Sequence, residues 1–319
     1  MIVRWGLDTL PDVLDELRIG RPLLVASERW SAQPLPVDPA ARWTEVPTDR
    51  VADAAELAGD GVVPLGGGSA IDLAKAISAA TKAPVVSLPT TYSGAEWTTY
   101  FGVRDRDRRM RAGGSGAVLG GVVYEPELTL RLPRAETVGT AMNALAHCAE
   151  ALYVQGHNDA ADQHALVGAR LIAEHLPLVA GSPDDLEQRT WLLEGAMHAG
   201  EALAGSMLAL GHAMAQALGG RYGLPHGAMN AICLPAALRF NREVAPEALD
   251  RLGEALGGDP VERTEELGLL GGFGRLRDVG VPESDLAELA EAAAGRAGAK
   301  ANPRPASPEQ IEELLRSVW

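Results

Sequence analysis

The chain has 319 residues, 46% hydrophobic and only 4% aromatic, with 36 Gly and a formal charge of −15. That length holds two ordinary domains or one large α/β unit, and the charge excludes nucleic acid and anionic membrane as partners. Two cysteines without a CxxC pair, Cys148 and Cys233, exclude a disulfide framework.

The N-terminal MIVRWGLDTLPDVL lacks a signal-peptide pattern, and no apolar run reaches the roughly 18 residues of a membrane span. The expectation is a soluble cytoplasmic protein. PLLVAS (Pro22–Ser27) reads as a buried strand, and GVVPLGGGS (Gly61–Ser69) as a second strand running into glycines. A helix is predicted over Ala70–Thr81 and a third strand over Pro84–Thr91, with a further strand, GVVYEP, ending near Pro126. Strands alternating with helices imply a parallel sheet with crossover helices. RDRDRRMR (Arg104–Arg111) reads as a solvated loop. From about Arg134 onward nearly everything has helical period. The predicted organisation is therefore an α/β domain over 1–133 and an all-helical domain over 134–319. The proline-rich stretch Ala297–Pro308 reads as an extended wrap before a last helix, EQIEELLRSVW.

Chemistry concentrates in four places. In LGGGSAIDLAK, glycines between a strand and a helix let the backbone approach a ligand, and the first amides of a helix bind phosphate. The other reading is a tight turn in which Ser69 caps the helix. LPTTYSGAEWTTY places hydroxyls at the C-terminal end of a strand, where open α/β sheets bind ligands; they can equally cap backbone. Asn143 and His147 are four apart and share a helical face. His212 and His226 are separated by fourteen positions, room for a helix, a break at Gly219–Gly220 and a return loop. Three converging imidazoles make a metal site or a polar catalytic floor.

The segments GGGSxxDxAK, PTT and PHG, in that order, resemble the iron-containing alcohol dehydrogenase superfamily. LPTTYSGAEWT, VVYEPELTLRLP, MNALAHCAEALY, LGGRYGLPH and NPRP are most similar to its maleylacetate reductase branch. The resemblance implies a dinucleotide-binding α/β domain with a parallel sheet followed by an all-α domain, the dehydroquinate synthase-like fold, and a homodimer. It implies that Gly66, Gly67, Gly68 and Ser69 hold the diphosphate of NAD(P)H, with Thr90 and Thr91 also near the cofactor. Metal-dependent relatives bind Fe or Zn through an Asp and three His. The matching positions are Asn143, His147, His212 and His226. Asparagine removes the one anionic ligand, so no tightly held metal is expected; if one binds, the three histidines hold it.

The chain departs from the family elsewhere too. Gln216 stands where a histidine is frequent, and glutamine cannot shuttle a proton. Met110 stands in place of a ribose-reaching lysine, and AGGSGAVLGG lacks the branch's basic residues. Only forty positions separate Ala26 from Gly66, and their prolines cannot supply a long helix, so one α/β element is expected to be missing. Nothing marks the choice between NADH and NADPH.

The reading that follows is an NAD(P)H-dependent reductase of a small carboxylated enone or ketone. Asn143, His147, His212 and His226 would polarise the acceptor, and Tyr92 or a histidine-linked water would supply the proton. The alternative is a non-redox lyase, isomerase or cyclase in the same pocket. Asp72 with Lys75 is either a cofactor-facing motif or an ion pair. Glu96 is read as a structural hydrogen-bonding group, Cys148 as packed, and His157, His164, His175 and His198 as ordinary polar residues.

Overall fold

A computed structural model describes residues 1–319. Contacts divide the chain into two units, Met1–Thr91 with Ala95–Arg131, and Tyr92–Gly94 with Leu132–Trp319.

In the first unit the elements are β1 (Ile2–Trp5), α1 (Leu10–Glu16), β2 (Pro22–Val25), β3 (Ala41–Trp43), α2 (Val51–Glu56), β4 (Gly61–Gly66), α3 (Gly68–Thr81), β5 (Val85–Pro89), β6 (Phe101–Arg104), β7 (Met110–Gly114) and β8 (Leu119–Tyr124). Six strands form one parallel sheet in the order β1-β8-β5-β4-β2-β3. Both faces are covered, which is why the central strands are near-continuous apolar runs. Leu24, Val63, Val86 and Val123 pack with Leu10, Val13 and Leu14 of α1 on one face. Their neighbours Leu23, Val62 and Val85 pack with Leu73, Ala74 and Ile77 of α3 on the other. The connections reverse direction between β2 and β4, and such a switch point is where parallel sheets take ligands. The glycines Gly66–Gly68 lie at that end of β4.

Two expectations need correction here, and one strand was not predicted. The stretch between Ala26 and Gly66 is shortened, but it still forms the edge strand β3 and the six-residue helix α2. The arginine-rich stretch closes an antiparallel hairpin, β6–β7. Asp105 makes its turn by accepting from the Arg109 amide and the Arg111 guanidinium. The Arg106 guanidinium, and then the Thr48 hydroxyl, hold the Glu45 carboxyl down at about 2. The N-terminal strand β1, too short for its period to be seen, pairs with β8.

The second unit contains α4 (Arg134–Ala151), α5 (Asp159–Gly181), α6 (Leu186–Ala204), α7 (Leu210–Tyr222), α8 (His226–Asn241), α9 (Pro246–Leu256), α10 (Pro260–Leu269), α11 (Leu286–Ala294), α12 (Ala297–Ala301) and α13 (Pro308–Ser317). Its small residues set the helix spacing. A Cβ on Gly168 would come within 2.8 Å of Cys148 Sγ and 3.0 Å of Gly195 O, so α5 and α6 touch nearly backbone to backbone. Helix α7 runs straight through Gly219–Gly220 and ends at Gly223, whose φ of 66° gives the left-handed cap. A helix tolerates two glycines at a cost of about 1 kcal/mol each when its neighbours hold it. The stretch expected as an extended wrap contains α12. It is anchored by Asn302, which exchanges two hydrogen bonds with Asn241 at 2.7 and 2.9 Å. No helix is long and apolar enough to cross a membrane.

Candidate active site

In the first unit the glycine turn is pressed onto the end of β5. A Cβ at Gly67 would meet Thr91 Cγ2 at 2.7 Å, so only glycine fits. The Thr90 amide donates to Gly66 O at 3.1 Å. Gly67, not Ser69, caps α3, which corrects the serine-cap reading; Ser69 is exposed inside the first turn. Its amide and that of Gly68 have no helical carbonyl to bond, leaving donors for an anion. Beside them the Thr90 hydroxyl is buried and lacks a partner. An orphaned hydroxyl and a cradle that a side chain would fill fit a bound diphosphate.

Asp72 and Lys75 are structural in this arrangement. Lys75 is buried, pairs with Asp72 at 3.0 Å and donates to Ala95 O at 2.8 Å. Asp72 also accepts from the Gly102 amide. Glu96 is buried and accepts from the Tyr124 hydroxyl, itself the acceptor for Trp97 Nε1; burial pushes the Glu96 carboxyl up. Met110 begins β7 as an exposed side chain.

In the second unit Asn143, His147, His212 and His226 come together. The rings of His147 and His212 stack with centroids 4.8 Å apart, and His226 lies 5.6 Å from His212. Amides organise the group. Asn143 Nδ2 donates to Ser93 O at 2.9 Å, and because a carbonyl can only accept, this fixes which way the amide points. The same NH2 faces His147 Nε2 at 3.4 Å. Asn143 Oδ1 accepts from Asn230 Nδ2 at 2.6 Å, and Asn230 Nδ2 also faces His226 Nε2 at 3.1 Å. Burial, and then the neighbouring His212 and His226, hold the His147 imidazole well below its ordinary range, so it is neutral.

Two further residues complete the site, and sequence reasoning missed both. Glu150, wholly buried, accepts from His212 Nδ1 at 2.7 Å and from the Ala209 and His212 amides at 2.6 and 3.1 Å. It thereby caps α7, whose own N-cap, Ala209, has no side chain to do so. The approach is tight enough that a Cβ at Gly211 would sit 2.9 Å from Glu150 Oε1. With Nδ1–H committed to the carboxylate, His212 presents Nε2 as a lone pair, and that buried atom has no partner. The signal was a lone Glu in the apolar run MNALAHCAEALY, since a buried carboxylate must be paired. Asn230 stands four residues after His226 and shares its helical face.

Tyr92 requires a correction. It is wholly buried, with its hydroxyl accepting from Arg189 Nη1 at 3.0 Å. A hydroxyl locked on a buried guanidinium without access to water is an anchor, and this placement does not support proton delivery. Cys148 is buried and burial pushes its thiol up, as expected of packing. Gln216, one turn beyond His212 on α7, accepts from Arg296, whose Nε lacks a partner; burial lowers that guanidinium, the only cause of its shift.

A sequence profile of the Fe-containing alcohol dehydrogenase family, C-terminal part, matches residues 137–319, and a profile of iron-containing alcohol dehydrogenase matches residues 40–118. Maleylacetate reductase of Sphingobium indicum is 36% identical over 264 residues, 82% of this chain and 74% of the relative. That of Pseudomonas knackmussii is 32% identical over 330 residues, 98% of this chain and 93% of the relative. Among solved structures, maleylacetate reductase from Rhizobium sp. strain MTP-10005 superposes with a TM-score of 0.90 at 29% identity, over 100% of this chain and 95% of that one.

Proposed function

We propose that this chain, which belongs to the iron-containing alcohol dehydrogenase family on its maleylacetate reductase branch, reduces a small carboxylated enone or ketone with NAD(P)H. The observation that carries this reading is the buried Glu150–His212 pair with His212 Nε2 left open. A carboxylate on Nδ1 fixes the tautomer, so Nε2 is the atom that takes up and releases a proton.

The nicotinamide, when bound, supplies the hydride. Gly66–Ser69 and Thr90–Thr91 hold the cofactor by its diphosphate. His212 Nε2, having first taken a proton from solvent, passes it to the enolate or alkoxide, while His147, His226 and Asn143 position the acceptor in a hydrogen-bonded floor. Tyr92 supports Ser93, whose carbonyl orients Asn143. Arg296 bears on the carboxylated class: a half-buried guanidinium with a free Nε, near the residue one turn after His212, is a carboxylate partner.

The reading includes no tightly held metal. The Asn143 amide hydrogens face His147 Nε2, while Asn143 Oδ1 is taken by Asn230. The alternative, a cofactor-free lyase, isomerase or cyclase, draws on the shortened cofactor half, Met110 and Gln216; β3 and α2 weaken the first of these supports. We place the enzyme in the cytoplasm and, by family resemblance, as a homodimer.

The test is titration with NADH and NADPH, followed by tryptophan fluorescence. Saturable binding at micromolar concentration, weakened on the order of 100-fold or more in Gly67→Asp, is expected, because the new carboxylate would fall in the phosphate cradle. Failure of the wild-type chain to bind either nucleotide would falsify the reading.

A further inference from the structure

A second histidine cluster lies in the helical unit, apart from the residues assigned above. His164 on α5 and His198 on α6 face each other through Nδ1 at 2.8 Å. Glu201 Oε2 lies 2.8 Å from His164 Nδ1 and 3.3 Å from His198 Nδ1. His198 and Glu201 are three apart on α6 and so share a face. The near backbone contact of α5 and α6 at Gly168 and Gly195 lets short side chains reach across.

Hydrogen bonds cannot satisfy this triangle. Each Nδ1 carries at most one proton. If both carry one, the two N–H groups oppose each other across 2.8 Å. If only one does, the other nitrogen turns a lone pair towards the carboxylate. A cation satisfies all three contacts at once. A point about 2.1 Å from each donor, the usual Zn–N and Zn–O distance, lies just outside their plane.

We propose that His164 Nδ1, His198 Nδ1 and Glu201 Oε2 form a site for a divalent transition ion of the zinc class. Two imidazoles and one carboxylate match that class, and neither hard O-only nor soft thiolate ions. The side chains are 38%, 20% and 27% exposed, so the ion enters from solvent and completes its shell with water. Because the ligands come from two helices, the ion clasps α5 to α6 and stabilises the folded state it binds.

The experiment uses the full-length, chelator-stripped protein, titrated with zinc against a chromophoric chelator and counted by native mass spectrometry. The wild-type chain is expected to bind one zinc more than His164→Gln/His198→Gln, and to gain roughly 5 °C in melting temperature with zinc, a gain absent in the double variant. Glu201→Gln, which keeps the shape and loses the charge, should weaken binding tenfold or more. It also replaces the double variant should that one fail to fold. Counting the difference between variants separates this ion from any held at His147, His212 and His226. Equal zinc counts in wild type and double variant, unchanged affinity in Glu201→Gln, or no zinc bound at 100-fold excess over protein each overturn the proposal.

Discussion

Two histidine clusters in one helical unit behave as opposites. His147, His212 and His226 stand where the family pattern places metal ligands, yet an amide or a carboxylate already engages one ring nitrogen of each. His164, His198 and Glu201 match no motif, yet aim three donor atoms at one point. Chain order locates histidines; whether they ligate depends on what already holds each ring nitrogen. In the first cluster His147 and His212 are buried, and burial holds the His147 imidazole below its ordinary range. The second is open to solvent with its donors unreconciled, as a cation site requires.

Three changes would break or sharpen this contrast. The largest effect is expected for His212→Gln, which removes the proton-holding atom. Turnover should fall by about 10²–10⁴ while nucleotide affinity stays within a few-fold. A variant that keeps a tenth of the wild-type kcat would remove His212 from the proton step. Next is Asn143→Asp in a His164→Gln background. The new carboxylate would oppose Ser93 O, costing about 1–3 kcal/mol without metal. It would also raise zinc affinity at the first cluster by roughly 10–100-fold. Urea melts with and without zinc read both effects, and a melt indifferent to zinc would mean that the amide does not decide metal binding. The smallest is pH dependence. The native His147 takes its proton well below the ordinary range. As pH falls through about 6.5 the unfolded chain binds a proton the folded chain refuses, so stability is lost towards acid, by at most about 1.4 kcal/mol per pH unit. His147→Gln should show a correspondingly flatter decline in urea-derived stability between pH 7 and 5; identical slopes would mean the imidazole is not held neutral.

Much of the architecture was legible. Strands β2, β4, β5 and β8 announce themselves because a sheet covered on both faces needs unbroken apolar runs. What escaped did so for local reasons. Strand β1 is four residues long, and the β6–β7 hairpin is written in arginine and exposed glycine, with no alternation to read. Gly219–Gly220 carries a breaker signal that tertiary packing overrides. Spacing and resemblance brought Asn143 and the three histidines to notice. Glu150 and Asn230 escaped because each is an ordinary residue in a helix, and its partner, α7 for one and the neighbouring Asn143 for the other, is known only after folding.

The assignment of Tyr92–Gly94 to the helical unit limits how modular the chain can be. These three residues follow Thr91 directly, but Tyr92 receives Arg189 and a donor bond to Thr140, Ser93 receives Asn143, and Gly94 lies against Gly200 and His147. A fragment expressed from Leu132 onward would therefore lack its own wedge. It would take the Tyr92 hydroxyl away from the buried Arg189 and the Ser93 carbonyl away from the asparagine that orders the histidines. During synthesis, too, the tripeptide leaves the ribosome long before α4 and α6 exist to receive it. A piece made near the beginning thus waits for helices made later before the helical unit can be finished.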